Sequence, residues 1–389
     1  MPVINSIAAM EEEMTAWRRD FHMHPELAYQ ETRTARIVAE KLKSWGIEIK
    51  EGIGKTGVVG VIKGTGDGPS MGLRADMDAL PIDEANNVEW KSQNPGVMHA
   101  CGHDGHTTML LGAAKYLAET RNFAGTVNVI FQPAEEGYAG AKAMMDDGLF
   151  EDFPCDQVYG LHNWPQMPAG SVAAVPGPIM AAADKFDITV KGKGAHGAMP
   201  HNGIDPIVIG SQIVTALQSL VSRTKDPIQT AVISVTMFHA GAAFNVIPDE
   251  AILSGTVRTF RADVQDQIEA GMKSIADGIA KGMGGDAHLN YRRGYPATIN
   301  HERETEMAAG VAATVVGAEN VLNDVEPTMG GEDFSFMLNK KPGCYLWLGG
   351  GGGSSVEQVH HPEYDFNDKI LSIGASVLAR LAENLQPRR

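Results

Sequence analysis

Residues 126–137 read Thr126-Val-Asn-Val-Ile-Phe-Gln-Pro-Ala-Glu-Glu-Gly137. Thr126 to Phe131 is an apolar run of strand length, closed by Pro133 and Gly137, and two adjacent carboxylates follow it directly. Working outward, further runs of strand length lie at Gly57 to Ile62, Ser70 to Ala75 and Gln157 to Leu161. Helical stretches are expected between the last three of the four runs, at Thr107 to Glu119 and Gly140 to Gly148. Strands alternating with helices predict an α/β layer with a largely parallel sheet. In such sheets the ligand crevice lies beyond the carboxyl ends of the strands. Glu135 and Glu136 are therefore placed in that crevice, as is His162, which follows the run ending at Leu161.

Ile7, Met10, Met14, Trp17 and Phe21 recur at helical spacing and predict a helix over 6–22, ended by Pro25. A second helix is expected from Thr32 to Trp45, with Gly46 as its left-handed cap. The middle of the chain has its own order: strand (Lys185 to Lys191), helix (Pro206 to Ser222), strands (Thr230 to Phe238, Ala251 to Phe260), helix (Val264 to Met283) and strand (His288 to Tyr291). This β-α-β-β-α-β order is that of ferredoxin-like units. Residues 184–292 are thus predicted to be an α+β domain inserted into an α/β domain formed by 1–183 and 293–389, with hinges near Asp184 and Arg292 to Gly294. Helices at Glu302 to Val316 and Asp368 to Asn384 flank a strand at Gly343 to Gly349, and Gly349 to Gly353 reads as a flexible loop.

The 389 residues suffice for one large or two ordinary domains. A hydrophobic share of 43% and a charged share of 21% describe a soluble globular chain. The net charge of −16 argues against nucleic acid and anionic membrane as partners. No secretory signal is expected at the amino terminus, and no apolar run approaches the ~20 residues that span a bilayer. Three Cys, at 101, 155 and 344, are too few and too far apart for a disulfide scaffold, so a cytoplasmic location is expected.

The densest chemistry is His99-Ala-Cys101-Gly-His103-Asp104-Gly-His106. Thiolate and imidazole both bind borderline-soft divalent cations, and the glycines let the backbone turn so that side chains converge. The alternative is a polar loop with a buried Cys and capping side chains. Adjacent Glu135 and Glu136 cannot point the same way on an extended segment, which suggests two jobs, metal ligand and proton handling. Alone, they would suit a helix start. Near the carboxyl end, His360-His361-Pro362-Glu363-Tyr364-Asp365 supplies more imidazole and Met329-Gly-Gly-Glu332-Asp333-Phe334 a further acidic turn.

Motifs along nearly the whole chain resemble the M20 metallopeptidase family, in its subgroup of hippurate hydrolases, N-acyl-amino-acid deacylases and plant indole-acetyl-amino-acid hydrolases. They are Arg18-Arg19-Asp-Phe-His-Met-His24-Pro25-Glu26-Leu27, Leu73-Arg74-Ala-Asp76-Met-Asp78-Ala-Leu-Pro81, the His99–His106 segment, Gln132-Pro-Ala-Glu-Glu-Gly137, Gly194-Ala-His196, Asn245-Val-Ile-Pro248 and Glu332-Asp-Phe334. The resemblance implies a zinc-peptidase-like catalytic domain carrying an inserted ferredoxin-like lid or dimerisation domain. It implies two divalent ions (zinc, manganese, cobalt or nickel) on Cys101, His103, Glu136, His162 and His360, with Cys101 bridging. Glu135 would be the general base, Asp78 would orient its neighbours, His196 and Asn245 would face the carbonyl oxygen, and Arg258 would hold the product carboxylate. The implied substrate is an N-acyl amino acid and the implied assembly a homodimer or homotetramer, His196 reaching in from the partner. Here two His precede Pro362, so His361 competes with His360 as the last ligand, and Gly330-Gly331 precedes Glu332 where a small polar residue is commoner.

Other readings stand beside this one. A dipeptidase or aminoacylase-type peptidase of the same fold is one, and Cys101 acting as a nucleophile with a nearby His is another. His22-x-His24 reads as a helix-end loop. Gly54-Lys55-Thr56 is not a phosphate loop, because Ile49 stands where its first Gly is needed. A closed structural zinc site would use four ligands, whereas this set offers five and leaves Glu135 over.

Overall fold

The computed structural model describes residues 3–351 and 357–388. In chain order, helices α1 (Asn5–Ala8), α2 (Glu11–Met23) and α3 (Thr32–Ser44) precede strands β1 (Glu48–Ile53), β2 (Gly57–Lys63) and β3 (Ser70–Asp76). Helix α4 (His103–Thr120), strand β4 (Thr126–Gln132), helix α5 (Gly140–Asp146) and strands β5 (Gln157–Pro168) and β6 (Val172–Ala173) follow. Next come β7 (Ala182–Lys191), β8 (Ala195–His196), α6 (Pro206–Ser219), β9 (Ala231–Ala240), β10 (Val246–Ile247), β11 (Glu250–Thr259), α7 (Ala262–Gly282) and β12 (Asp286–Tyr295). The chain closes with α8 (Glu302–Val316), β13 (Val321–Leu322), α9 (Phe334–Leu338), β14 (Gly343–Gly351) and α10 (Leu371–Leu385).

These elements form two compact units. The first holds the chain up to Ile179, Ile299–Glu326 and everything from Asp333 on; the second holds Met180–Thr298 and Pro327–Glu332. In the first unit an 8-stranded sheet runs β1-β2-β4-β3-β5-β14-β6-β13. Its centre, β4-β3-β5-β14, is parallel, while β1 and β2 pair antiparallel at one side. Met71, Leu73 and Ala75 of β3, Val127, Val129 and Phe131 of β4, and Leu346 and Leu348 of β14 share one core with Leu110 and Leu117 of α4 and Val377 and Leu381 of α10. Each such Val, Leu, Phe or Met side chain, fully removed from water, contributes ~1.5–3 kcal/mol. Central strands covered on both faces explain why they read as continuous apolar runs.

The helix expected over 6–22 is broken at Ala9 and Met10 into α1 and α2. Strand β1, with the exposure pattern of a polar edge strand, has no apolar run to announce it. Strand β5 does not stop at Leu161 but continues to Pro168, because β14 pairs with it past that point, Trp347 opposite His162 and Gly349 opposite Trp164. His162 therefore sits within a strand rather than after one. Gly349 to Gly351 belong to β14, and Gly352 and Gly353 of the expected loop lie outside the described residues. Among the described residues no helix is long and apolar enough to cross a membrane.

The second unit is an antiparallel sheet of order β9-β11-β7-β12. Its strand order and helix placement are those of a ferredoxin-like unit. Phe186, Ile188 and Val190 of β7 and Leu253 and Val257 of β11 pack with Ile209, Ile213 and Leu217 of α6 and Val264, Ile268 and Met272 of α7. Strand β9 lies at one edge and is exposed along its second half.

Candidate metal centre

Strand β3 ends at Asp76, β4 at Gln132, and α4 begins at His103, so the parallel centre delivers its polar residues to one end of the sheet. Gly102 makes the turn into α4 with φ 90. A Cβ there would stand 2.2 Å from Asn163 Oδ1, so glycine is required by both conformation and space. The turn brings the Cys101 Sγ to 3.4 Å from His162 Nε2. The Nδ1 of His162 lies 2.6 Å from the Asn163 carbonyl oxygen, which accepts its N–H and leaves Nε2 of the neutral ring as a lone pair facing the sulfur. On the other side, His103 Nδ1 is 3.2 Å from Asp78 Oδ1, and His103 Nε2 is 3.9 Å from Glu136 Oε1.

His360 Nε2 lies 3.3 Å from the same Glu136 oxygen, and the His360 N–H donates to Ala100 O at 2.7 Å. His361 turns elsewhere. Its Nδ1 accepts from the Glu363 N–H and approaches Glu357. Of the two adjacent imidazoles, His360 is the one beside Cys101 and Glu136. Among the triples of donor atoms that fall within 4.8 Å of one another are Cys101, His103 and His162; Cys101, Glu136 and His360; His103, Glu135 and Glu136; and Asp76, His103 and His106. The triples overlap at Cys101, His103 and Glu136.

Glu135 and Glu136 part ways by a kink rather than by the alternation of an extended segment. Ala134 has φ 54, Glu136 leaves the helical region with ψ 69, and Gly137 has φ 84. The Glu136 N–H donates to Asp78 Oδ2 at 2.9 Å, and the Asp333 N–H to Glu135 Oε1 at 3.3 Å. Asp78 thus holds a His through one oxygen and the Glu turn through the other.

The buried Nε2 of His103 and Oε1 of Glu136 have no hydrogen-bond partner among the described residues. Buried polar atoms are nearly always satisfied, so two that face each other across such a cluster fit a cation. Burial, Glu136 and Glu135 push the Cys101 thiol well above its ordinary value. A thiol so placed is not activated as a nucleophile by its protein neighbours, for reactive thiols need an electropositive setting. Burial opposes charge on His103, yet Asp76, Asp78 and Glu136 raise it to about 10. The arrangement is a converging thiol, imidazole and carboxylate set with excess negative charge, which suits a borderline divalent ion.

Around the cluster lies a buried network. Arg74 donates to Asp76 at 2.6 Å, to Gln132 at 2.7 Å and to Asp333 at 3.0 Å. Asp76 receives His106 Nδ1 at 2.6 Å, and His106 Nε2 meets Asn163. His106 stands one turn after His103 on α4, a spacing that places both on one helix face. His22 is not a loop residue: it lies within α2, fully buried, 2.8 Å from Asp104 and 3.2 Å from Glu84. His99, also buried, has neither ring nitrogen hydrogen-bonded among the described residues and takes no part in the donor triples above.

In the second unit, β8 pairs with β10, His196 opposite Val246, and the Gly197 N–H donates to Asn245 O at 2.7 Å. His196 and Asn245 are thereby neighbours, and both are exposed. The Ala198 N–H donates to His196 Nδ1, which leaves Nε2 outward. Arg258 is on β11 opposite Val232, half-buried, and donates to Thr256 Oγ1 and Val257 O.

A parallel-centred sheet that gathers this donor cluster near its strand ends is the framework of a metal-dependent hydrolase. The sequence matches peptidase family M20/M25/M40 over residues 72–384, and the chain belongs to that family. The hippurate hydrolase of Campylobacter jejuni is 44% identical over 382 residues, 98% of this chain and 99% of its own. An N-acetylcysteine deacetylase of Bacillus subtilis is 41% identical over 367 residues, 94% of each chain. The solved structure of the Bacillus subtilis YXEP protein, a dinuclear metal binding peptidase from the M20 family, superposes with TM-score 0.86 at 37% identity, covering 97% of this chain and 99% of that one.

Proposed function

We propose that the enzyme hydrolyses the amide bond of N-acyl amino acids, giving a carboxylic acid and a free amino acid, with two divalent ions held by Cys101, His103, Glu136, His162 and His360. The observation that carries this is the set of overlapping donor triples with Glu135 alongside. Its length-wide similarity to a hippurate hydrolase and an N-acetylcysteine deacetylase points to the acyl amino acid. When bound, such ions polarise a scissile carbonyl and lower the pKa of water to about 7. Cys101, the donor that joins the triple holding His103 and His162 to the one holding Glu136 and His360, would be the ligand the two ions share.

The chain's own residues do the rest. Asp78 and the Asn163 carbonyl fix the tautomers of His103 and His162, so that each turns Nε2 toward the cluster. Glu135 is the general base: it takes a proton from the attacking water and returns it to the leaving amine. His196 Nε2 and the Asn245 amide are donors for the oxyanion, and Arg258 binds the α-carboxylate. The second unit acts as a lid and dimerisation domain. Its edge strand β9 exposes Met237 and Phe238, with Phe244 beyond, an apolar edge suited to a second copy. Three buried, unpaired cysteines suit a cytoplasmic location.

Dialysis against a chelator, followed by manganese, zinc, cobalt or nickel, tests the reading on a panel of N-acyl amino acids and dipeptides with metal content measured in parallel. Metal-restored turnover of acyl amino acids is expected. Chelator-resistant turnover would sink the metal, and preference for dipeptides would move the substrate to peptides.

A further inference from the structure

Glu31 lies outside every role assigned so far, yet it is fully buried. Its Oε1 accepts the Ala134 N–H at 2.9 Å and its Oε2 accepts the Thr56 hydroxyl at 2.6 Å. Among the described residues no basic side chain pairs with it. Two residues earlier, the Tyr29 hydroxyl donates to the Tyr138 carbonyl at 2.9 Å. The segment from Tyr29 to Glu31 therefore grips both ends of the turn that carries Glu135 and Glu136.

That turn is strained. Ala134 (φ 54) and Ala139 (φ 57) are both left-handed without being glycine, and such conformations persist only where the surroundings over-determine them. Room for relaxation is absent on one side, since a Cβ on Gly140 would stand 1.7 Å from Pro133 O. Three buried carboxylates hold the turn: Glu31 on Ala134 N–H, Asp78 on Glu136 N–H and Asp333 on Ala141 N–H. Asp78 also touches His103, and Asp333 also touches Arg74 and Gln132. Among the described residues the Glu31 carboxylate is hydrogen-bonded by Ala134 and Thr56 alone, so the turn is what it serves.

We infer that Glu31, seated on Thr56 and assisted by Tyr29, is a positioning residue that clasps the Ala134 turn and thereby sets where the Glu135 carboxylate sits. The inference rests on Glu135 being the base. Thr56, in a segment that fails as a phosphate loop, acquires a purpose as the seat of the clasp, fixing the rotamer of Glu31. Misplacing a reacting group by ~1 Å costs on the order of 100-fold, whereas Glu136 on the same turn is tied separately by Asp78 through its N–H, and the ligands on α4 and β5 lie outside the clasp's reach and keep their places.

The test compares Glu31→Ala, Glu31→Gln, Tyr29→Phe and Glu135→Gln in metal-reconstituted enzyme, reading kcat, KM and metal content. Glu31→Ala is expected to lower kcat by about 10- to 100-fold with KM and metal content held. Glu31→Gln keeps an acceptor for Ala134 N–H and is expected to recover to within a few-fold; Tyr29→Phe, losing a solvent-exposed bond, has the smallest effect. A Glu31→Ala enzyme with native kcat, or equal damage from Ala and Gln, overturns the clasp. If Glu31→Ala does not fold, the comparison is made in an Ala134→Gly background, where glycine admits the left-handed turn without penalty but does not fix it, so that the clasp alone still sets the carboxylate; there an unimpaired Glu31→Ala also overturns it. A Glu135→Gln enzyme with native turnover instead removes Glu135 as the base, whatever Glu31 does.

Discussion

Asp78 Oδ1 lies 3.2 Å from His103 Nδ1 while its Oδ2 accepts the Glu136 N–H at 2.9 Å, so one buried carboxylate sets two candidate ligands from opposite chain segments. Replacing it with Asn keeps the shape and can keep one acceptor, but loses the charge that fixes the His103 tautomer. Asp78→Asn is expected to weaken metal affinity or activity by ~10–100-fold with an unchanged fold. Competition titration against a chelator reads the affinity; a native value would mean that Asp78 orients nothing.

His360 and His361 are adjacent in sequence and opposite in setting. His360, itself at φ 69, turns its Nε2 to Glu136, while His361 keeps company with Glu357 and Glu363. His360→Ala is expected to lower metal content and turnover, and His361→Ala to leave both within about twofold, as surface changes away from special features do. The reverse order would assign His361 as the ligand.

How much of this was legible in the sequence depends on what each residue signals. Cys101, His103, Glu135 and Glu136 stand in dense polar segments beside apolar strands, and the strand-end rule gathers them without a structure. His22, Glu31, Arg74 and Asp76 escaped the residue-level reading. They are charged or polar groups buried far from water, and nothing in a linear pattern says that a His near a helix end faces Asp104 or that a Glu before a helix accepts from a residue 103 positions away. His106 had a signal, its three-residue offset from His103 on one helix. The apolar run predicts too short a β5 because the strand's continuation depends on pairing with β14, a partner remote in sequence.

Arg258 is proposed to meet the substrate carboxylate. Arg258→Ala is therefore expected to raise KM for N-acyl amino acids by ~10-fold or more, the scale of a lost charge-assisted hydrogen bond. Amides without a free carboxylate should be affected far less. Steady-state kinetics on a matched acid and amide pair decide it, and equal losses on both would take Arg258 out of the substrate site.

Glu31 offers a pH test that does not involve turnover. Burial, with Asp78 adding to it, raises its carboxyl from 4.5 to about 7. A raised acid binds its proton more tightly in the folded state, so its contribution to stability is complete below about pH 4.5 and is lost as pH rises through about 7. Glu31→Gln carries no such charge and should gain on the order of 3 kcal/mol relative to the native chain at pH 8 compared with pH 4. Denaturant midpoints of metal-stripped protein at the two pH values measure it. A pH-independent difference would show that Glu31 titrates normally.

Cys101 separates the two chemistries proposed for this cluster. Its thiol is pushed up by burial and by Glu136 and Glu135, and it stands 3.4 Å from a His162 nitrogen whose proton-free face is fixed by the Asn163 carbonyl. A bound cation reverses that bias by stabilising the thiolate, whereas a nucleophilic thiol would have to ionise against it. Cys101→Ser keeps the size and supplies a harder, weaker ligand. The variant is therefore expected to lose activity at stoichiometric metal and to regain part of it as manganese or cobalt is raised, since oxygen ligands suit harder ions. A nucleophilic Cys101 predicts a loss that no metal concentration repairs, together with a covalent acyl adduct on the native enzyme visible by mass spectrometry. Partial metal rescue without such an adduct is the outcome the donor geometry requires.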